Sequence, residues 1–341
     1  MFCPRLDHFV RLNANGTIGK CGHMKNGRGY ESFDELNGSE WLNKIRSKMQ
    51  SDEWPDECAR CRVTEQHNGE SIRTKSIERH KILHPKKKDY LVVGGVLDNV
   101  CNSACQTCNS NLSTKIGSLE SKYYTRVDNY VRFWELPSHR ILEVDVNGGE
   151  PTASRNYKRI LSNLPTNTKI VRMNTNASRM IGEIETLIRK GIMVIVTISL
   201  DGVGKVHDYV RWPIKWEAYS KTVDKYIEMR VKNKLLKLDF WTTVSSLNIN
   251  DLENIQNYAK EKGISHSYSF LTSPDVYSVR YKNYFTMNAT QVAPDLVAMG
   301  DDNSEQLNSF MMKQDRLRGI SFKDYFNLDP NFSKNSSANL L

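Results

Sequence analysis

The sequence predicts an α/β fold with a mainly parallel β-sheet. Between residues 90 and 271, short runs of apolar residues alternate with longer stretches in which apolar residues recur at helical spacing. This alternation is typical of βαβ units, in which each helix returns the chain to the start of the next parallel strand. Gly191 and Gly263 stand where two helical patterns end, as glycine commonly does at a helix terminus. The sequence therefore predicts six β/α repeats.

The same patterns give the boundaries of the repeats. The predicted strands cover residues 91–97, 141–147, 169–174, 192–200, 236–244 and 265–271. The predicted helices cover residues 111–134, 154–163, 179–190, 215–234 and 250–262. In barrels built from such repeats, ligands bind at the carboxyl ends of the strands, so functional side chains are expected there.

The composition limits the class of protein. A chain of 341 residues is long enough for one large α/β domain and a smaller one. The 48 Lys and Arg against 39 Asp and Glu give a net charge of +9, which suits an anionic partner such as RNA, although a basic soluble enzyme is the simpler explanation. No apolar run reaches the roughly 18 residues of a membrane span, and residues 1–7 lack the apolar core of a secretory signal. Because the seven cysteines are an odd number, a disulfide framework is disfavoured, and we expect a cytoplasmic protein without a membrane partner.

Three cysteines directly after the first predicted strand of the repeats are the strongest functional signal. Cys101, Cys105 and Cys108 have C-x3-C-x2-C spacing. Three such thiolates can bind three irons of a [4Fe-4S] cube and leave the fourth iron without a protein ligand. A structural zinc site takes four ligands, so this triplet is incomplete as a zinc site but complete as an open cluster.

The other four cysteines, Cys3, Cys21, Cys58 and Cys61, all precede residue 62. Alternating residues on both sides of Asn15–Gly16 predict a β-hairpin that brings Cys21 to a strand end. Four thiolates brought together in this way suit either a zinc ion or a second [4Fe-4S] cluster, and the spacing does not decide between the two metals.

A helix is predicted between the hairpin and the C-x2-C pair. Ser39 can cap its first turn, and Trp54–Pro55 ends it. Its apolar side chains recur at helical spacing and are ordinary core residues: Trp41, Leu42, Ile45 and Met49.

A basic connection, residues 71–89, follows this N-terminal segment. Its charged residues predict a helix that ends before Pro85. The run from Lys86 to Lys88 can contact nucleic acid, but no aromatic residues interleave with it to stack on bases. A solvated linker is therefore favoured over a nucleic-acid site.

Polar residues stand at the ends of the predicted strands. Gly148, Gly149 and Glu150 follow the second strand, where glycines allow close backbone approach and a carboxylate can accept from an ammonium group. Asn176 follows the third strand, where an amide can bind a ribose or cap a helix.

Two further signals lie at the fourth strand. Ser199 ends the strand, and Arg211 follows it with a guanidinium fork that matches a carboxylate in two hydrogen bonds. His207 lies between them, and we predict that it is a structural histidine rather than an acid or base.

These residues together resemble the radical SAM enzymes. The cysteine triplet is similar to the signature of that family, and Gly148-Gly149-Glu150-Pro151 is similar to its GGEP motif. The stretch from Ser199 to Arg211 resembles the SPASM/twitch branch. The resemblance implies that Cys101, Cys105 and Cys108 hold a [4Fe-4S] cluster whose open iron binds S-adenosylmethionine (SAM). It also implies the residues around SAM, which are Gly148, Gly149, Glu150, Asn176, Ser199, Arg211 and, at the adenine, Leu271.

The resemblance also implies a domain organisation. Residues 90–272 would form a partial (β/α)6 TIM-type barrel of the radical SAM kind. Residues 1–70 resemble a twitch or SPASM auxiliary-cluster module, with a β-hairpin, a helix and one cluster on Cys3, Cys21, Cys58 and Cys61. In the best-known members this module follows the barrel, whereas here it precedes it. Residues 273–341 would form a C-terminal extension whose tail, from Ser333, has no pattern and is expected to be disordered.

The implied activity is reductive cleavage of SAM to a 5′-deoxyadenosyl radical, which abstracts a hydrogen atom from a substrate. The implied cofactors are SAM and two [4Fe-4S] clusters, with zinc open as the alternative at the auxiliary site. The implied partners are a low-potential electron donor of the flavodoxin or ferredoxin type and a substrate, for which a peptide or protein is the first choice. The alternatives are a nucleotide, RNA or small metabolite as substrate, or a non-catalytic protein that binds zinc and RNA. No catalytic residue beyond the cluster ligands is implied.

Overall fold

The structure, a computed structural model of the chain, describes residues 1–67, 69–83, 89–121, 126–287, 289 and 297–326. The strands are β1 (Phe9–Leu12), β2 (Ile18–Gly19), β3 (Leu91–Val96), β4 (Ile141–Asn147), β5 (Ile170–Thr175), β6 (Met193–Ser199), β7 (Leu236–Val244) and β8 (Ser265–Phe270). The helices are α1 (Pro4–Asp7), α2 (Phe33–Gly38), α3 (Glu40–Gln50), α4 (Ala59–Gln66), α5 (Ile72–Leu83), α6 (Thr114–Glu120), α7 (Tyr130–Trp134), α8 (Arg155–Ser162), α9 (Ile184–Arg189), α10 (Lys205–Val210), α11 (Trp216–Lys232), α12 (Leu252–Glu261), α13 (Tyr284–Met287) and α14 (Ser304–Arg318). Within these ranges, no helix combines the length and apolar character that crossing a bilayer requires.

One sheet contains all eight strands, in the order β2-β1-β3-β4-β5-β6-β7-β8. Strands β3 to β8 are parallel and follow one another in chain order, which confirms the six predicted repeats. β2 and β8 lie at the two ends of this order and are not paired with each other among the described residues. The sheet is therefore open, as expected for a partial barrel. The α/β fold class is therefore confirmed.

The main core lies between the sheet and its helices. In β7, Leu236, Leu238 and Phe240 are buried in this core, while Lys237 and Trp241 alternate with them and are exposed. This period of two shows that one face of the strand packs under the helices and the other faces the barrel interior. Gly191 and Gly263 have φ of +74° and +58° just after α9 and α12, which confirms their predicted role as helix ends.

The N-terminal hairpin forms as predicted but has an unpredicted partner. β1 and β2 pair antiparallel around the turn that contains Gly16. β1 also pairs in parallel with β3, so that Phe9 lies beside Val92 and Leu12 beside Gly95. The N-terminal segment and the barrel therefore share one sheet. The predicted helix after the hairpin is α3, and Ser39 caps it by accepting a hydrogen bond from the Leu42 amide at 3.2 Å.

Two predicted helices differ from the structure. The pattern over 111–134 is not one helix, because α6 ends at Glu120 and the next residue, Ser121, is in the left-handed region with φ of +50°. After residues 122–125, which lie outside the described residues, Asn129 donates its amide hydrogens to the carbonyls of Val96 and Asn13, and α7 follows. The helix predicted over 179–190 begins only at Ile184. The connection contains the predicted helix as α5, but Pro85 and the run from Lys86 to Lys88 lie outside the described residues, as does the tail from Ser333.

The C-terminal extension packs against α10 and the carboxyl end of β7. Its buried residues form a second apolar cluster with Tyr209, Val210 and Val244 from the barrel repeats. From α14, Arg318 reaches the loop that carries the cysteine triplet, and its side chain donates to the carbonyls of Ala104 at 2.9 Å and Cys105 at 3.4 Å. The extension therefore stabilises that loop through its backbone carbonyls.

Candidate functional site

A cavity of about 610 Å³ lies at the carboxyl ends of the parallel strands. Its lining runs from β1 across the sheet to β7, so the sheet curves around it. With one exception, all of the residues predicted to hold the first cluster and SAM line this cavity: Cys101, Cys105, Cys108, Gly148, Gly149, Glu150, Asn176, Ser199 and Arg211. The exception is Leu271.

The triplet lies on a loop that its neighbours hold on two sides. The amides of Ala104 and Gln106 donate to the carbonyls of Trp212 and Val210 at 2.8 and 2.9 Å. On the other side, the Glu150 amide donates to the Val100 carbonyl at 2.8 Å. The loop is therefore fixed against the two segments that carry Arg211 and the Gly-Gly-Glu sequence.

The three thiols are close enough to influence one another. Burial, with a contribution from Cys105, raises the pKa of Cys101 to about 11 and that of Cys108 to about 12. At neutral pH they are therefore thiols, and a bound metal would have to displace their protons. Among the described residues, no group of three or more His, Cys, Asp or Glu side chains already converges on one ion. The donor set of three sulfurs beside a cation, Arg211, is nevertheless the set that an open iron-sulfur cluster takes.

Arg211 presents a charged group to the cavity. Its Nη1 lies 3.1 Å from Asp201 Oδ2, and Asp201 Oδ1 accepts from the Thr243 amide at 2.8 Å. Its Nε is buried and has no hydrogen-bond partner among the described residues. Burial by itself lowers the pKa of Arg211, but Cys105 and Asp201 outweigh it and raise the pKa above its ordinary value. The guanidinium is therefore charged, held by one carboxylate, and able to bind a second.

Glu150 is buried beside the cysteine loop and is only 1 % exposed. Its Oε1 accepts from the Thr175 hydroxyl and from the amide and hydroxyl of Thr152, and its Oε2 accepts from the Asn176 amide at 2.7 Å. Burial raises the pKa of Glu150, and these donors counteract part of the rise. A carboxylate oxygen has two lone pairs, so Oε2 retains one acceptor position for a further donor such as an ammonium group.

The two glycines before Glu150 are required by the packing of the backbone, in addition to their position in the cavity wall. Gly148 and Gly149 have φ of +91° and +40°. A Cβ on Gly148 would lie 2.5 Å from the Asp98 carbonyl oxygen, and one on Gly149 would lie 2.3 Å from the Val100 carbonyl oxygen. Glycine is therefore needed because this turn packs against the chain that leads into the cysteine triplet.

Asn176 joins two parts of the site rather than leaving its amide free. Its Nδ2 donates to Asn102 Oδ1 and Ser103 Oγ, both at 2.8 Å, and its Oδ1 accepts from the Ser178 amide. Both hydrogens of the side-chain amide are thus used within the protein, and the predicted contact of Asn176 with a ribose stays a prediction. Asn174 also lines the cavity, is exposed, and makes no side-chain hydrogen bond to described residues. The sequence signal for Asn174 was the period of two along β5.

The other three residues singled out in the sequence lie in different surroundings. Ser199 ends β6 in the cavity wall and has no side-chain hydrogen bond to described residues. Leu271 is outside the cavity, because its amide donates to the Val244 carbonyl at 2.8 Å and its side chain packs against the second apolar cluster. His207 is fully buried, 4.3 Å from the ring of Tyr219, and burial lowers its pKa to about 3, in keeping with the predicted structural role.

The four N-terminal cysteines gather around a second, smaller cavity of about 20 Å³. Burial, with contributions from Cys3, Cys61 and Cys21, raises the pKa of Cys58 to about 12. The two cavities adjoin, since Arg5, His23 and Ile72 line both of them. The donor set of four sulfurs fits zinc and an iron-sulfur cluster equally well.

No protein-family model matches the chain, and no curated protein matches it. Several solved structures are similar to it. Streptococcus suis SuiB bound to S-adenosylmethionine is 14% identical, with a TM-score of 0.43 over 84% of this chain and 68% of that one. SuiB bound to precursor peptide SuiA is 13% identical, with a TM-score of 0.43 over 85% and 68%. Native anSMEcpe with bound AdoMet and Kp18Cys peptide is 16% identical, with a TM-score of 0.39 over 68% and 62%. SuiB and anSMEcpe are radical SAM enzymes. Because these TM-scores are low, the functional conclusion rests on the site itself.

Proposed function

We propose that this chain is a radical SAM enzyme. The observation that carries the proposal is that three thiols, a charged arginine and a buried carboxylate from separate strand ends line one cavity. Cys101, Cys105 and Cys108 would hold a [4Fe-4S] cluster, which would supply one electron to SAM from an external low-potential donor. Reduction would break the sulfur–C5′ bond of SAM to give methionine and a 5′-deoxyadenosyl radical. The radical would then take one hydrogen atom from a substrate C–H bond.

The chain's own residues bind and orient SAM in this proposal. Arg211 binds the carboxylate of its methionine part, because the guanidinium is charged and has an unused buried donor. Glu150 accepts from the ammonium group at Oε2, its less occupied oxygen. Ser199 and Asn174 offer free polar side chains for the ribose, and Asn176 positions the cysteine loop instead.

The N-terminal cysteines hold a second metal centre in this proposal, either a [4Fe-4S] cluster or zinc. Four cysteines saturate it, so its role is electron transfer or scaffolding rather than substrate binding. Its cavity adjoins the main one through Arg5 and His23, which is compatible with both roles. We keep a peptide or protein as the first substrate class, with a nucleotide or small metabolite as the alternative.

Anaerobic reconstitution followed by iron, sulfide and zinc analysis tests the proposal. Two cubes correspond to about eight iron and eight sulfide, and alanine at Cys101, Cys105 and Cys108 should halve both. Dithionite-reduced protein should convert SAM to 5′-deoxyadenosine, whereas the triple variant should not. Protein that contains zinc alone and leaves SAM intact would support the non-catalytic alternative and overturn the enzyme. Four iron with one zinc would confine the correction to the N-terminal centre.

A further inference from the structure

We propose that the substrate carries an oxyanion, a carboxylate or a phosphate, and that Arg5 and Arg11 bind it. This inference rests on the proposed function, because it names the substrate class of the same cavity. Both arginines line the cavity on the side of the N-terminal segment, away from Arg211 in the chain. Neither residue belongs to the motifs that the sequence predicts for SAM.

The local structure aims both side chains at the cavity. Val10 and Leu12 of β1 are fully buried in the core, so the alternating residues Phe9 and Arg11 lie on the cavity face of the strand. The guanidinium carbon of Arg5 lies 3.6 Å from the centre of the Phe9 ring. A guanidinium stacked in this way is held in place while the donors at its edge stay available.

The charges of the two arginines are not compensated. Among the described residues, the side chains of Arg5 and Arg11 have no acidic partner within ion-pair distance and no hydrogen bond. The carboxylates of the cavity are Asp145, Glu150 and Asp201. Glu150 and Asp201 are engaged as described above, and Asp145 Oδ2 lies 3.6 Å from Nη1 of Arg79. The N-terminal wall therefore carries surplus positive charge.

His23 lies in the same wall as the two arginines. An oxyanion bound here lies next to the four-cysteine cavity, since Arg5 and His23 line both cavities. This position separates the substrate's anion from the SAM carboxylate, which Arg211 binds.

Matched probes test the inference on the anaerobically reconstituted full chain at low ionic strength and with SAM at saturation. The carboxylate pair is acetyl-Gly-Glu-Gly-amide and acetyl-Gly-Gln-Gly-amide, and the phosphate pair is AMP and adenosine. Ligand-observed NMR measures the four dissociation constants. We expect the anionic member of one pair to bind about tenfold more tightly than its neutral partner. The pair that shows the preference identifies the source of the oxyanion.

The double variant Arg5→Gln/Arg11→Gln should lose this preference, whereas Arg155→Gln, an exposed arginine outside the cavity, should keep it. If the double variant does not fold, Arg11→Gln alone should lower the preference about threefold. Equal binding of anionic and neutral probes to the wild type, or a preference that survives the substitutions, overturns the inference. SAM affinity, measured separately, should be the same in all these proteins. A wild type that fails to bind SAM contradicts the proposed function instead.

Discussion

Replacing Arg211 with glutamine should weaken SAM binding more than any other single change in the cavity. The substitution removes a charge-assisted interaction with the SAM carboxylate, which contributes about 1.5–3 kcal/mol. At about 1.4 kcal/mol for each factor of ten, the dissociation constant should rise by about 10- to 150-fold. Anaerobic isothermal titration calorimetry with the reconstituted protein measures it, and Arg155→Gln serves as the control.

The same substitution also lowers stability, and this effect has to be separated from binding. Asp201 is 2 % exposed, and without Arg211 its carboxylate keeps only the Thr243 amide as a hydrogen-bond partner among the described residues. Loss of one member of a buried ion pair destabilises by about 3–5 kcal/mol, and the remaining amide favours the lower end. The double variant Asp201→Asn/Arg211→Gln should recover most of that stability in urea unfolding, but none of the SAM affinity. Unchanged SAM affinity in folded Arg211→Gln protein would refute the assignment of this residue.

Three further predictions test other parts of the structure. Gly149→Ala should lower the free energy of unfolding in urea by at least about 2 kcal/mol and lower the iron content, because its Cβ would overlap the Val100 carbonyl. Gly191→Ala is the control: its φ is also positive but its Cβ would have open space, so it should cost about 1 kcal/mol. A soluble Cys58→Ala/Cys61→Ala variant should retain the first cluster and should still cleave SAM slowly, but it should lose substrate turnover. Complete turnover in this variant would mean that the second centre is dispensable. Because burial lowers the pKa of His207 to about 3, the unfolded chain binds more protons between about pH 3 and 6.5, so stability should fall as pH falls through that window by up to about 1.4 kcal/mol per unit. His207→Phe should reduce this slope by that amount between pH 5 and 6.5, and an identical slope in both proteins would contradict the assignment.

The sequence predicted best what depends on local periodicity. The six parallel strands were found within a residue or so of their ends, because an apolar run bounded by helical patterns is a short-range signal. Residues at the strand ends met in one cavity because parallel strands direct their carboxyl ends to one side. Leu271 did not, since the end of a strand at the edge of the sheet is free to pack outward.

Long-range partners could not be predicted. Strand periodicity shows which face of β1 is buried but not that β3 is its neighbour. Likewise, nothing in the sequence around Arg5 or Arg11 indicates a cavity whose other wall is more than eighty residues away along the chain. The hydrogen bonds of the Asn176 side-chain amide could not be predicted for the same reason, since its partners lie 74 and 73 residues away along the chain.

The contact between Arg318 and the cysteine loop has a consequence for the order of events during synthesis. The carbonyls that Arg318 binds belong to Ala104 and Cys105, 214 and 213 residues earlier in the chain. Tyr277 supports the same loop through Gln106 at 3.3 Å. A nascent chain that has released its three cysteines from the ribosome, but not yet α14, therefore holds them on a loop that lacks the two hydrogen bonds from Arg318. We expect stable iron loading to follow completion of the last helix rather than to accompany translation.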